Sequence, residues 1–399
     1  MIENGLRPRS CWLEIDLDAL ERNLSYIEET LPGRQSVLAV VKAEAYGHGA
    51  EIVAEVLENA GIKIFGVATL EEAIKLREHG INASILIMGH MATYNVSELF
   101  KYNLTPMIYS YRLLQAIAEE ARNQEKVKDV HLKIDTGMGR LGLRVKDVLR
   151  FAQKIKTYQS VHLAGLATHF PEAGENPDYT ENQIEQMETI TDTLRDHDFD
   201  PQWVHSMNSA AVFSEDRFHG NLVRPGISLY GYSPLAEPIQ GLEPVLQARC
   251  KMADYKKVEP GHGVSYGREW VPDQPTWLGV LPIGYADGYS RVLSRKAHVL
   301  KNGEKRPVLG NICMDMTIIQ CYKDDDPEQT VTLLGRDGNQ ELWADQLANW
   351  NGTIPYEILS RFSARWPRLY FKNDQLIALK SEQGIEQFDP PRSRSEVIQ

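Results

Sequence analysis

The feature that most constrains this chain is an alternation that runs through its first 231 residues. Short apolar runs rich in Val, Ile and Leu recur at 36–42 (SVLAVVK), 64–69, 84–89, 105–110, 131–136, 163–169, 203–208 and 222–231. Runs apolar on both faces suit strands of a parallel sheet covered on both sides. Between them, the stretches 50–60, 70–79, 111–122, 145–158 and 183–197 carry apolar residues at helical spacing, and a further helix over 17–31 precedes the first run. Eight strands with intervening helices predict an α/β fold, a (β/α)8 TIM barrel, with a doubly wound sheet as the rival that fits the same count.

Near Pro234–Pro244 the alternation stops. Beyond it, Lys301-Asn302-Gly303 and Asp337-Gly338 lie between apolar runs and predict tight hairpins. A short helix is expected over 343–350. The expected division is a barrel over residues 1–238, its first dozen or so residues pairing with the C-terminal part, a mostly β domain over 239–383, and a polar tail over 384–399.

The net charge of −12 disfavours nucleic acid and anionic membranes as partners, and no apolar run is long enough to span a bilayer. The N-terminus MIENGLRPRSCW has no apolar signal core. The four cysteines, Cys11, Cys250, Cys313 and Cys321, are scattered, with no C-x-x-C pair. That spacing predicts neither a metal site nor a disulfide scaffold, and reduced thiols in a cytoplasmic location are the expectation.

One motif tests these ideas. GMGRLG at 137–142 matches the G-x-G-x-x-G loop of dinucleotide-binding folds. That reading requires an acidic residue at the end of the next strand, to hold a ribose. The next run ends Ala167-Thr168-His169-Phe170, and Glu172 lies further out. A barrel predicts instead that functional residues gather at the C-terminal ends of strands. Lys42 ends the first run, Lys133 stands in the fifth and is followed by Arg140, His169 ends the sixth, Asn208-Ser209 ends the seventh, and Arg224-Pro225-Gly226-Ile227 lies in the eighth. Barrel phosphate sites lie in the loops after strands seven and eight. A lysine at a barrel mouth beside a phosphate pocket suits a phosphorylated aldehyde held as a Schiff base, and pyridoxal 5'-phosphate is the obvious one.

The segments AVVKAEAYGHGA, LKIDTGMGRLG, THF, NSAA, VRPGISLYG, VSYG, PIGYADGY, NICMDM and TIPYE occur in this order between about Trp12 and Tyr370. Together they resemble the bacterial alanine racemases. The resemblance implies a pyridoxal-phosphate barrel followed by a β domain. It implies a head-to-tail homodimer with shared active sites in the bacterial cytoplasm, interconverting L- and D-alanine for peptidoglycan. Carried over, Lys42 holds the cofactor and is one acid–base group, and Tyr266 from the partner subunit is the other. Tyr46, Ser209, Gly226, Ile227 and Tyr356 hold the phosphate, and Asn208 and His169 lie close by. Arg224 faces the pyridine nitrogen. Arg140, Met314, Tyr285 and Asp315 meet the substrate, and Lys133 is the lysine that becomes a carbamate in many members.

Physical chemistry makes these roles coherent. Racemisation removes a proton from one face of Cα and delivers one to the other, which two groups on opposite faces accomplish without movement. Arginine cannot accept a proton, so Arg224 would leave the pyridine nitrogen unprotonated and weaken the electron sink, suppressing transamination. Lys133, if it points inward, needs a compensating partner, and conversion to an anionic carbamate would supply one for Arg140. Taken singly, Lys42 reads as a snorkelling lysine, His169 as a core histidine, and Tyr266 and Tyr285 as packing aromatics. Cys313 and His48 read as structural, and the run 323–328 as a solvated loop.

Two departures from the family pattern stand out. Glu44 replaces the usual Asp, and Asn311 stands where Arg is common. They leave substrate breadth open, so a racemase accepting serine or other small amino acids is an alternative. A fold-related pyridoxal-phosphate decarboxylase is a weaker one, because such enzymes set an acid, not Arg224, against the pyridine nitrogen.

Overall fold

The computed structural model describes residues 9–33, 35–215 and 220–394. The chain forms two compact units, one comprising 21–45 and 53–243, the other residues up to Leu20, Tyr46–Ile52 and Pro244 onward.

The first unit is a parallel barrel. Its strands are Ser36–Val40, Ile64–Val67, Ser84–Ile87, Thr105–Ile108, Lys128–Asp135, Val161–Ala167, Trp203–His205 and Leu222–Val223. They neighbour one another in chain order, and the eighth pairs with the first in parallel. Between the seventh and eighth the ring closes through single bridges, Asn208 with Arg224 and His205 with Gly220. The doubly wound alternative is thereby excluded, because its edge strands never meet.

Helices alternate with the strands. Leu70–Glu78 starts at Thr69, whose hydroxyl accepts from the Glu72 N–H while the Glu72 carboxylate reaches back to the Thr69 N–H, a capping box. Pro177–Arg195 begins earlier than expected because Asn176 caps it and Pro177 occupies its first turn. A short helix, Val96–Lys101, was not foreseen.

The run 222–231, expected as one strand, is a correction. Only Leu222–Val223 is strand, and Ile227–Tyr230 is a 3-10 turn. Pro225 has no N–H with which to continue a ladder, and Gly226 (φ −122°, ψ −88°) turns the chain.

The second unit is built on a twelve-stranded sheet. Cys11–Asp16 lies within it, antiparallel to Leu246–Cys250 and parallel to Arg368–Lys372. Both foreseen hairpins form. His298–Lys301 pairs with Glu304–Leu309 across Asn302 (φ 56°) and Gly303 (φ 72°), the left-handed pair such a turn demands. Val331–Asp337 pairs with Gln340–Leu342 across Gly338.

The segment read as a polar tail instead supplies an edge strand, Gly384–Ser393, on Gln375–Ser381. Phe388 packs on the cluster of Trp12, Leu369, Phe371, Leu376 and Leu379. Residues 395–399 lie outside the described set. The run 323–328 is more than a solvated loop. Asp325 is buried and paired with the buried Arg306 guanidinium at 3.3 Å, and the Lys301 ammonium donates to the Asp326 carbonyl at 2.9 Å.

Among the described residues, no helix is long and apolar enough to cross a membrane.

Candidate active site

The glycine-rich loop settles the question its motif raised. Gly137, Gly139 and Gly142 all have positive φ (147°, 68° and 136°). The Asp135 carboxylate accepts from the N–H groups of Gly137 (3.1 Å) and Gly139 (3.0 Å). A Cβ on Gly142 would lie 2.6 Å from the Asp135 nitrogen, and one on Gly137 would lie 2.2 Å from the Tyr179 hydroxyl oxygen. The glycines thus serve a tight turn that folds back on its own strand. Leu143–Arg144 then runs beside Ile134–Asp135, and the next α-helix starts only at Val148. The strand–loop–helix of a pyrophosphate site is absent here.

Lys42 follows the first barrel strand and starts a local anomaly. Ala43, Glu44, Ala45 and Tyr46 all have φ between 50° and 55°, one turn of left-handed helix. The Ala45 N–H donates to the Val41 carbonyl at 2.9 Å. For residues with a Cβ this geometry costs about 1–2 kcal/mol each. Neighbours hold it in place. The Glu72 carboxylate that caps its own helix also accepts from the Ala43 N–H at 2.7 Å, and Lys75 pairs with Glu44 at 3.0 Å. In the second unit, Gly47 and Gly49 continue the positive-φ run against neighbours that leave no room for a Cβ, the Leu359 carbonyl at 2.2 Å and the Tyr370 hydroxyl at 1.9 Å. The Arg368 guanidinium donates to the Gly47 carbonyl at 2.8 Å, and the buried His48 ring meets the Tyr46 carbonyl at 3.1 Å. Strain of this kind is stored at functional positions.

The polar residues of the barrel rim converge electrostatically. Burial pulls the Lys42 amine down from its usual range, Arg140 and Arg224 add to the shift, and Glu72 opposes it. Burial pulls Lys133 down further, reinforced by Arg224 and Arg140. His169 falls to about 2, from burial and then from Arg224, Lys133, Arg140 and Lys42. Positive groups thus crowd one another, with Glu72 and Asp135 as the opposing acids.

Arg224 is buried, and burial lowers it only to about 10, so it stays charged at neutral pH. It donates to the carbonyls of Thr168 (2.7 Å) and Ser206 (2.9 Å) and to the Nδ1 atoms of His205 (3.0 Å) and His169 (3.4 Å).

Opposite, Asn208 caps the short helix Ser209–Ser214 and donates to the Phe170 carbonyl at 2.9 Å. Ser209 Oγ accepts from the Gly226 N–H at 2.8 Å, next to Ile227. The Ser228 hydroxyl lies 3.1 Å from the same oxygen, so two hydroxyls and a backbone N–H cluster there. A cationic rim with a hydroxyl and amide cluster fits a small molecule that combines an anionic phosphate with an aldehyde for Lys42. Pyridoxal phosphate meets that description. Lys42 would hold its aldehyde carbon, Ser209 with Gly226 and Ile227 its phosphate, and Arg224 its ring nitrogen.

The other candidates lie in the second unit. Tyr46 and Tyr356 approach with ring centroids 6.0 Å apart, and burial pushes Tyr46 up, with Tyr356 adding to it. Tyr285, Met314 and Asp315 form one group. The N–H groups of Tyr285 and Ala286 donate to the carbonyls of Cys313 and Met314, both at 3.0 Å, and Asp315 pairs with Arg365 at 2.8 Å. Gly284 is required there, since its Cβ would sit 2.2 Å from the Cys313 carbonyl oxygen. Tyr266 is 74% exposed, at the start of the turn Tyr266–Arg268. Its carbonyl accepts from Asn311 Nδ2 at 2.8 Å, and Ser265 Oγ donates to the Asn311 carbonyl.

Sequence reasoning missed several of these residues. Glu72 could have been suspected only from the capping signal of its helix. Asn311 was noticed as a departure but not as the support of Tyr266. His131 and His205 lay inside runs read as strands, and nothing in their spacing pointed to each other. Among the described residues, no group of three or more His, Cys, Asp or Glu side chains could hold a metal ion.

Comparison with known proteins places the chain in a family with this fold. The family model for the N-terminal domain of alanine racemase matches residues 15–234, and that for its C-terminal domain matches 245–370. An alanine racemase of Halothermothrix orenii is 38% identical over 367 residues, covering 91% of this chain and 97% of that protein. The crystal structure of alanine racemase from Bacillus anthracis with bound L-Ala-P superposes with a TM-score of 0.89 at 32% identity, covering 95% of this chain and 99% of the other. A histidine racemase from Leuconostoc mesenteroides superposes at 0.84 with 27% identity, covering 91% and 98%.

Proposed function

Since the chain belongs to the alanine racemase family, we propose that it interconverts L- and D-alanine with pyridoxal phosphate held on Lys42, supplying D-alanine for peptidoglycan in a bacterial cytoplasm. The observation that carries this reading is the rim itself: one lysine, drawn toward its neutral form by burial and by Arg140 and Arg224, stands among cations that an anionic cofactor would neutralise.

Bound there, pyridoxal phosphate supplies an electron sink that acidifies the Cα–H of an attached amino acid. The chain does the rest. The depressed pKa of Lys42 gives its Nζ a usable fraction of free base to take or return a proton on one face. The Tyr266 phenol serves the other face. Its exposure suits a group completed by a second copy, so a head-to-tail homodimer with shared sites belongs to the proposal.

Arg224 remains charged and only donates, so it would leave the ring nitrogen of a bound cofactor unprotonated and favour return of the proton at Cα over return elsewhere. Arg140, Tyr285, Met314 and Asp315 receive the substrate, and Tyr46, Asn208, Ser209, Gly226, Ile227 and Tyr356 receive the cofactor. Burial and two arginines disfavour the Lys133 ammonium, which would favour the free amine needed to add carbon dioxide, and the resulting anion would offset Arg224 and Arg140.

The test is direct. Borohydride reduction of the purified enzyme should bleach its yellow absorbance and leave the cofactor on a peptide containing Lys42, and L-alanine should lose its optical rotation. A colourless protein, or label on another lysine, would refute the assignment. Rotation lost with serine or histidine but not alanine would move the substrate, a distinction prompted by the histidine racemase of the same fold.

A further inference from the structure

Arg224 is held on its far side by two rings that the proposed reaction does not use. The guanidinium donates to His205 Nδ1 at 3.0 Å, and His205 Nε2 lies 2.8 Å from His131 Nδ1. Both rings are buried and meet edge to face, with centroids 5.0 Å apart and planes at 65°.

The direction of every bond in this row follows from its first member. Arginine can only donate. His205 must therefore accept at Nδ1 and carry its proton on Nε2. That proton has one neighbour to go to, His131 Nδ1, so His131 carries its own proton on Nε2 as well.

Three features build this arrangement. The strand pairing shifts register between Val130 and His131, an irregularity of the kind that re-aims a side chain. The facing residue on the next strand is Gly165, where a Cβ would lie 2.5 Å from His131 Nδ1. Finally, His131 lines a cavity of about 610 Å³ at the N-terminal ends of the strands, among Ser36, Ser84, Thr105 and Asp129. The row thus runs from the barrel end opposite the site to the guanidinium.

We propose that His131 and His205 form a neutral two-imidazole strut, both rings protonated on Nε2, whose role is to fix the orientation of the Arg224 guanidinium. They are positioning residues that act through Arg224. The inference rests on the reading that Arg224 faces the cofactor nitrogen. Burial and the charge of Arg224 lower both rings, His131 to about 4, in keeping with a strut that stays neutral in the working range.

The primary test is a nitrogen-15 spectrum of histidine-labelled holoenzyme at neutral pH. Both rings should show a protonated Nε2 and a bare Nδ1. A cationic ring, or a proton on Nδ1 of either, overturns the strut whatever the cofactor does, whereas failure of borohydride trapping at Lys42 overturns only the cofactor reading.

The second test uses three variants and reads the partition between racemisation and conversion of cofactor to its amine form. His131→Leu leaves the His205 N–H without an acceptor, and Gly165→Ala displaces the His131 ring without removing it. Both should raise the side reaction per turnover on the order of tenfold, the effect of losing one buried hydrogen bond to a charged system. His131→Asn, whose amide oxygen can stand where Nδ1 was, should restore the partition to within about threefold. Indistinguishable Asn and Leu variants, or an unchanged partition in Gly165→Ala, would refute the proposal.

Discussion

Acidification should find the barrel interior before it finds any carboxylate. His131 is held down to about 4, by burial first and by Arg224 against the opposing pull of Asp129. An unfolded histidine titrates near 6.5, so between that pH and about 4 the unfolded chain binds a proton that the folded one refuses. The stability carried by the neutral ring is fully present above about pH 6.5 and is lost as the pH falls toward 4. The slope is about 1.4 kcal/mol per pH unit for each ring, so His131 alone accounts for about 3 kcal/mol over the whole range. His169 and His205 shift in the same direction and add to the slope.

Unfolded carboxylates titrate near about pH 4, so the interval from about pH 7 to 5.5 reads chiefly the histidines, with Glu28, raised by burial, as an opposing carboxylate. Urea midpoints across that interval should fall steadily, and His131→Asn should flatten the fall by the share of one ring. In parallel, the His131 imidazole resonances of the folded protein should not move above about pH 5. A flat midpoint, an Asn variant with an unchanged slope, or a His131 ring that titrates near pH 6.5 would each refute the reasoning.

Other consequences can be checked separately. Asn311→Ala removes the 2.8 Å bond to the Tyr266 carbonyl, so kcat should fall about three- to tenfold while the cofactor absorbance stays unchanged. Gly142→Ala forces a Cβ to within 2.6 Å of the Asp135 nitrogen at φ 136°, which should cost about 2–4 kcal/mol and show as a lowered melting temperature. Arg224→Glu should protonate the ring nitrogen and convert cofactor to its amine form during turnover, seen by chromatography of released cofactor. Intact-mass measurement under native conditions should show one carbon dioxide on the wild-type chain and none on Lys133→Ala; an unmodified wild-type chain would remove the carbamate.

The fold was legible wherever a segment was apolar on both faces or punctuated by a residue with one structural meaning. Barrel strands such as Ile64–Val67 and Ser84–Ile87 are short, β-branched and bounded by turns, and Asn302-Gly303 has few alternatives to a tight hairpin. The reading failed where local pattern and tertiary context disagree. Residues 222–231 are apolar enough for a strand, yet Pro225 stops the ladder. Residues 384–393 are polar enough for a tail, yet their backbone completes a sheet edge and Phe388 finds a core. Burial of Asp325 was equally hidden, because a row of acids looks solvated until the buried Arg306 is seen behind it.

The site divides along the same line. That Lys42, Lys133, His169, Ser209 and Arg224 gather at one rim was legible because a barrel places strand ends together, so sequence position converts directly into proximity. What could not be found is whatever depends on backbone hand or on ring-to-ring contact across the barrel. Ala43, Glu44 and Ala45 have no preference for left-handed geometry; they adopt it because Val41, Glu72 and Lys75 bind the turn in that shape. The same holds for His131 and His205, each unremarkable in its own strand. Only a register irregularity and a glycine on the neighbouring strand bring their nitrogens to 2.8 Å. If Lys42 owes its presentation to that left-handed turn, replacing Glu72 by Gln should be the milder change, since its one amide oxygen can still accept from the Ala43 N–H, although its amide nitrogen cannot replace the oxygen that accepts from Ala68 and Thr69. Glu72→Leu should release the turn and reduce cofactor occupancy. Equal occupancy in the two variants would mean that the strain is held elsewhere, by Gly47 and Gly49 and their close contacts with Leu359 and Tyr370.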